Sequence, residues 1–187
     1  MSYVKYYDNV LPKTFCDSVI KKFENHPKQQ RETFLEGHRS FTELNLNENI
    51  VSWKSEIEYL VGTMQSYMDV YKKDIGIDLM SWPENFGYEQ LRMKRYLPND
   101  QDEFKFHVDV QDYASARRFL VYFWYLNDVE EGGETAFQLN RGQPVKVKVQ
   151  PRTGRLLMFP PLWTHPHVAF KPVGGPKYIV GGYLHYV

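Results

Sequence analysis

The hydrophobic period of the chain changes at Phe86, and that change restricts the available folds more than any other feature of the sequence. Before it, apolar residues recur at helical spacing. Phe15, Val19, Ile20 and Phe23 do so in "KTFCDSVIKKFE", and Trp53, Ile57, Leu60, Val61, Met64, Tyr67, Met68 and Tyr71 do so in "SWKSEIEYLVGTMQSYMDVYKKDIG". Ser52 stands where a helix cap is expected, Glu56 lies near the first turn, and Pro27 closes the first helix. After Phe86 the text breaks into short alternating runs: "YEQLRMKRYL", "EFKFHVDV", "RRFLVYFWYLN", "GETAFQL", "QPVKVKVQP", "GRLLMFPP", "HVAFKP" and "KYIVGGYLHYV". Turn residues separate them about every ten positions, the pattern of an antiparallel sandwich or barrel. Helices followed by strands predict a mainly β fold with N-terminal α structure, the helices packed on one sheet.

The expected organisation is one domain over residues 1–187, with 1–85 as a helical support region and 86–187 as the β core. The opening "YVKYYDNVLPK" reads as a short strand and a turn at Leu11-Pro12, and the polar stretch 28–51 as an irregular, mobile surface segment.

Composition removes several function classes. The 23 basic and 23 acidic residues cancel, so no net field draws the chain to nucleic acid or to an anionic membrane. A single cysteine, Cys16, excludes an intramolecular disulfide and a cysteine-rich zinc site, and suits a reducing cytoplasm. No apolar run approaches the roughly 20 residues of a membrane span, and "MSYVKYYDNV" lacks the apolar stretch of a secretory signal. The expectation is a soluble cytoplasmic protein; its oligomeric state is open.

The stretch "FKFHVDV" sets His107 and Asp109 two apart in a run of Phe and Val. On a strand they project together, with Phe106, Val108 and Val110 on the other side. An imidazole and a carboxylate on one face make two corners of a metal site, and two histidines with one carboxylate suit a hard first-row cation with open positions. Of the six histidines, the pair in "WTHPHVAF", His165 and His167, lies in a region where a neighbouring strand returns, so either is a candidate third ligand. Ten residues past His167 comes Lys177; pointing inward it requires an anionic partner, which a dicarboxylate cosubstrate would supply.

These elements, "HVD", the later histidine with a lysine ten residues on, the preceding "RMKRYLPND" and the intervening "FWYLNDVEEGGETAF", resemble the prolyl 4-hydroxylase type of Fe(II)- and 2-oxoglutarate-dependent oxygenase. The resemblance runs from about Phe86 to the C-terminus, and "NVLPKTFCDSVIKKFE" is similar to how such domains begin. It implies a distorted double-stranded β-helix, a jelly-roll relative. It also implies hydroxylation of an unactivated C–H coupled to conversion of 2-oxoglutarate and O2 to succinate and CO2, with ascorbate as an accessory reductant.

Carried over by position, the resemblance makes His107, Asp109 and His167 the iron ligands, with His165 as the alternative third, and pairs Lys177 with the distal carboxylate of 2-oxoglutarate. Thr135, Tyr96 and Tyr125 match residues that reach the cosubstrate. Arg118 matches an arginine that contacts the peptide, and Tyr183 stands where tryptophan is frequent, shaping the substrate pocket. Gly132 and Gly133 read as turn formers. The implied substrate is a prolyl residue in a peptide or protein, covered by flaps from Asp100–Phe104 and residues 28–51; a lysyl residue or a free amino acid is the alternative. Nucleobase demethylation is disfavoured because "KYIVGGYLHYV" carries no arginine. The reading from a different class is a non-catalytic β-sandwich binding module.

Overall fold

A computed structural model describes residues 3–187. Twelve strands run β1 (Lys5–Tyr7), β2 (Gln30–Leu35), β3 (Arg39–Asn45), β4 (Phe86–Tyr88), β5 (Arg92–Tyr96), β6 (Glu103–His107), β7 (Arg118–Tyr125), β8 (Thr135–Phe137), β9 (Val147–Val149), β10 (Leu156–Phe159), β11 (His167–Ala169) and β12 (Lys177–Tyr186). Helices α1 (Lys13–Glu24) and α2 (Ile50–Ile75) lie among the first three strands and before the fourth. Every alternating run of the second half forms a strand. No helix among the described residues is long and apolar enough to cross a membrane.

All pairings are antiparallel, in the order β1-β10-β7-β12-β5-β3-β6-β11-β8-β9, with β2 added on β3 and β4 on β12. Two hydrophobic clusters show how this ribbon is shaped. Leu120, Tyr122 and Trp124 of β7, Leu156 and Met158 of β10, Val180 and Leu184 of β12 and Met93 of β5 cluster with Cys16, Val19 and Phe23 of α1 and Trp53, Leu60, Met64, Met68 and Tyr71 of α2. The helical stripes therefore cover one sheet face, as their period requires. The alternate residues Val121, Tyr125, Leu157 and Phe159 cluster with Phe137 of β8 and Val149 of β9. Those last two strands are far from β7 and β10 along the ribbon, so the sheet must curl back on itself to bring them together; Phe137 and Phe159 meet with ring centroids 4.8 Å apart. Because β7 is buried on both faces, it reads as the unbroken run "FLVYFWY".

Three expectations are corrected. Residues 28–51 are not an irregular segment: they form the β2–β3 hairpin, and β3 pairs with both β5 and β6. The boundary at 85/86 therefore does not separate helices from sheet. The helix expected to begin at Ser52 begins at Ile50, after Asn49, with no side-chain cap; it ends at Gly76, whose φ of 65° supplies the left-handed closing residue.

Candidate metal centre

The inner face of the roll follows from strand alternation. On β12, Tyr178, Val180 and Leu184 face the helices, so Lys177, Ile179 and Tyr183 face inward; on β5, Met93 faces the helices, so Lys94 and Tyr96 face inward. The facing half contributes β6, β8 and β11. His167 is the direct cross-strand partner of His107. Asp109 reaches the same point by a different route from the one expected. The strand ends at His107, and a bend carries Asp109, its backbone N–H donating to the Pro161 carbonyl at 3.1 Å.

Each of His107, Asp109 and His167 presents one ligand atom, all within 4.8 Å of one another. The His107 Nε2 lies 3.7 Å from Asp109 Oδ1, and the His167 Nε2 lies 3.5 Å from Asp109 Oδ2. Both histidines place Nδ1 against a backbone carbonyl, Lys105 O at 2.6 Å and His165 O at 3.1 Å. Neutral rings donate there through Nδ1–H, which leaves each Nε2 lone pair for the centre. Burial, together with His167, holds His107 well below the usual imidazole range, so it stands as a neutral ligand rather than as half of an ion pair.

Asp109 Oδ1 accepts from the Tyr183 hydroxyl at 2.9 Å, while Oδ2 is buried with no hydrogen-bond partner. A buried carboxylate oxygen left without a partner beside two imidazole nitrogens fits a divalent cation and little else.

His165, the alternative third ligand, is not in the cluster. Its Nδ1 meets Thr164 Oγ1 at 2.8 Å, its ring lies edge-on to Tyr3, and burial drops its pKa to about 4. Its contribution near the centre is the main-chain carbonyl under His167. His167→Ala is therefore expected to abolish the rise in melting temperature on anaerobic Fe(II) addition, and His165→Ala to keep most of it; the reverse result would exchange the two.

Beside the three residues is a small cavity of about 60 Å³, bordered by Tyr96, Thr135, Lys177, Ile179, Phe159 and Lys94 among others. Lys177 is 1 % exposed. Its ammonium donates to the Gly133 carbonyl at 2.9 Å and lies 4.4 Å from the Tyr96 ring centroid, and burial drops its pKa to about 7. Gly133 turns that carbonyl inward at φ 72°, a backbone angle that a side chain resists. Tyr125 does not border the cavity; its hydroxyl donates to Thr135 Oγ1 at 2.7 Å, leaving the threonine proton free to point elsewhere.

At the mouth, Arg118 is already engaged. It donates to both oxygens of Glu89 at 2.9 Å and to the Asp109 carbonyl at 3.2 Å, and stacks 4.0 Å from the Tyr183 ring centroid. Arg118 and Tyr183 thus brace Asp109, a role not expected of either, and both also line the cleft at the mouth. Phe106 and Val108 border an open cleft of about 690 Å³ with Leu139 and Trp163. Sequence reasoning missed Glu89 and Lys94; the second was within reach, because it lies two before Tyr96 on the same strand face.

An antiparallel roll with two imidazoles, one carboxylate and a buried lysine inside it has the donor set of a divalent-metal centre with a cation beside it. The model of the 2OG-Fe(II) oxygenase superfamily matches residues 91–185, more than half of the chain, and the protein belongs to that family. No curated protein matches it. Among solved structures it is similar to the viral collagen prolyl hydroxylase of Paramecium Bursaria Chlorella virus-1, in its 2-oxoglutarate complex, at 20% identity over 99% of this chain and 96% of that one, with a TM-score of 0.62. A Pseudomonas putida prolyl-4-hydroxylase matches at 17% identity over 100% and 94%, TM-score 0.68. A Trichoplax adhaerens prolyl hydroxylase, in complex with a hypoxia inducible factor oxygen degradation domain peptide fragment, matches at 17% over 99% and 84%, TM-score 0.73. The protein is thus a 2-oxoglutarate- and Fe(II)-dependent oxygenase by family, and its fold is the one these prolyl hydroxylases share.

Proposed function

We propose that the chain is a single-domain hydroxylase on a distorted double-stranded β-helix that oxidises an unactivated C–H, with a prolyl residue of a peptide or protein as the leading substrate. The observation that carries this reading is the convergence of His107, Asp109 and His167 beside a cavity bordered by the buried Lys177. Fe(II) held by those three residues would supply oxygen activation coupled to conversion of 2-oxoglutarate to succinate and CO2.

The chain's own residues do the rest. Lys105 and His165 carbonyls fix the two imidazole tautomers, and Tyr183 fixes the carboxylate rotamer. Lys177 neutralises the distal carboxylate of the cosubstrate, and Thr135, its own oxygen occupied by Tyr125, donates its hydroxyl proton to the same group. Ile179, Val121, Phe123 and Phe159 border the cavity with hydrocarbon and exclude water. No side-chain acid or base is needed at the C–H.

The direct test adds Fe(II), ascorbate and 2-oxoglutarate under anaerobic conditions and records the weak visible charge-transfer band, then assays succinate under air with a library of proline-containing peptides. A band and substrate-dependent succinate are expected. Absence of both overturns the reading.

A further inference from the structure

Lys94 borders both the small inner cavity, with Lys177 and the three metal-facing residues, and the larger cleft of about 470 Å³ at the mouth of the roll. It therefore sits where the cosubstrate site gives way to the space above it. Among the described residues its ammonium makes no ion pair or hydrogen bond: it lies over the faces of Phe41, 4.7 Å from the ring centroid, and Phe104 at 5.8 Å, while the carboxylates of Glu43, its cross-strand neighbour, and Asp109 act on it only from beyond contact distance. The other cations of the cleft are differently placed. Arg92 is 2.7 Å from Glu43, Arg118 is held by Glu89, and Arg39 is exposed at the rim with its guanidinium 5.6 Å from the Phe104 centroid. Of the anions, Asp109 faces the metal position and Asp112 is hydrogen-bonded to Ser115.

The charges decide what such a cleft accepts. A divalent cation, the Asp109 carboxylate, dianionic 2-oxoglutarate and the Lys177 ammonium cancel one another. Glu43 and Arg92 cancel likewise, so Lys94 remains as a positive charge with no direct partner next to the place where the reacting carbon must lie. A neutral molecule covering it would desolvate the ammonium without compensation, whereas an anion would neutralise it.

We propose that Lys94, with Arg39 at the rim, binds a carboxylate of the primary substrate, so that the molecule hydroxylated is acidic: an amino acid carrying its free carboxylate, or a peptide with a carboxylate close to the target carbon. This rests on the reading above and narrows its substrate class.

The test loads the chain anaerobically with Fe(II) and 2-oxoglutarate and titrates it calorimetrically with two matched pairs, N-acetylproline against its amide and N-acetylglutamylprolinamide against N-acetylglutaminylprolinamide. At least one acid is expected to bind ten-fold or more tightly than its amide. Lys94→Met should reduce that preference below two-fold, Lys94→Arg should retain most of it, and 2-oxoglutarate affinity, titrated separately, should stay within two-fold in both. Equal binding of acids and amides, binding of none of the four, or a preference that survives Lys94→Met overturns the proposal. So does a large loss of 2-oxoglutarate affinity in Lys94→Met, which would assign the lysine to the cosubstrate's own carboxylate. Failure of the underlying oxygenase reading shows separately, as absence of the 2-oxoglutarate-dependent band in the unsubstituted protein.

Discussion

Asp109→Ala is expected to leave a folded chain with no iron-dependent turnover of 2-oxoglutarate. The Asp109 side chain, 8 % exposed, is the one anionic member of the cluster, and its Oδ2 has no protein partner. Two effects on the metal-free fold oppose each other. Removing the carboxylate relieves its own desolvation, while the Tyr183 hydroxyl loses its acceptor, a change worth about 1–3 kcal/mol. The metal-free melting temperature should therefore move little. The difference appears on adding Fe(II) without oxygen: at a hundred-fold excess over its dissociation constant, a bound metal stabilises the unsubstituted fold by about 2.7 kcal/mol, or roughly 5–10 °C for a chain of this size. The variant should show almost none of that rise. Undiminished turnover, or an equal rise, would remove Asp109 from the metal site.

Much of this arrangement was legible because strand alternation survives wherever both faces of the ribbon meet something different. On β7, Leu120, Tyr122 and Trp124 meet the helices while Val121, Phe123 and Tyr125 meet the interior, and the run is aromatic enough to be read as a strand without knowing either. The β2–β3 hairpin escaped for the opposite reason. Ser40 and Thr42 are buried, yet polar, because Asp102 and Glu32 accept their hydroxyl protons at 2.8 and 2.9 Å, and hydropathy cannot see a partner 62 residues away. The ten-residue interval to Lys177 favoured His167 over His165, and the physical reason lies outside the spacing: β11 starts at His167 in register with His107. Tyr183 and Arg118 were placed in the right neighbourhood without the protein groups they meet there, because a position on a strand fixes the direction of a side chain but not the group it meets. The Glu89 carboxylate that holds Arg118 lies 29 residues away in sequence.

Lys177→Met should produce a protein that is at least as stable without ligand as the unsubstituted one and that has lost most of its affinity for 2-oxoglutarate. The buried ammonium has one carbonyl and one ring face for company, and burial drops its pKa from 10.5 to about 7. The unfolded chain keeps this proton up to the ordinary lysine value, whereas the folded chain releases it near pH 7. The cost of burying the charge is therefore borne in full below pH 7 and is relieved as pH rises from there toward 10.5. Methionine fills a similar volume with no charge, and replacing poorly compensated buried charge by hydrocarbon is worth up to about 1–4 kcal/mol, so the variant's advantage should be greatest at pH 6 and shrink by pH 9. Ligand binding has the opposite dependence. If the proposed pairing holds, the distal carboxylate of 2-oxoglutarate takes the protonated lysine, so affinity in the unsubstituted protein should be flat below pH 7 and fall above it, by as much as about ten-fold per unit, with proton uptake on binding. Calorimetric titrations at pH 8 in buffers of different ionisation enthalpy measure that uptake directly. A destabilised Lys177→Met with undiminished affinity, or an affinity independent of pH from 6 to 9, would mean that the ammonium holds the fold together and does not receive the cosubstrate.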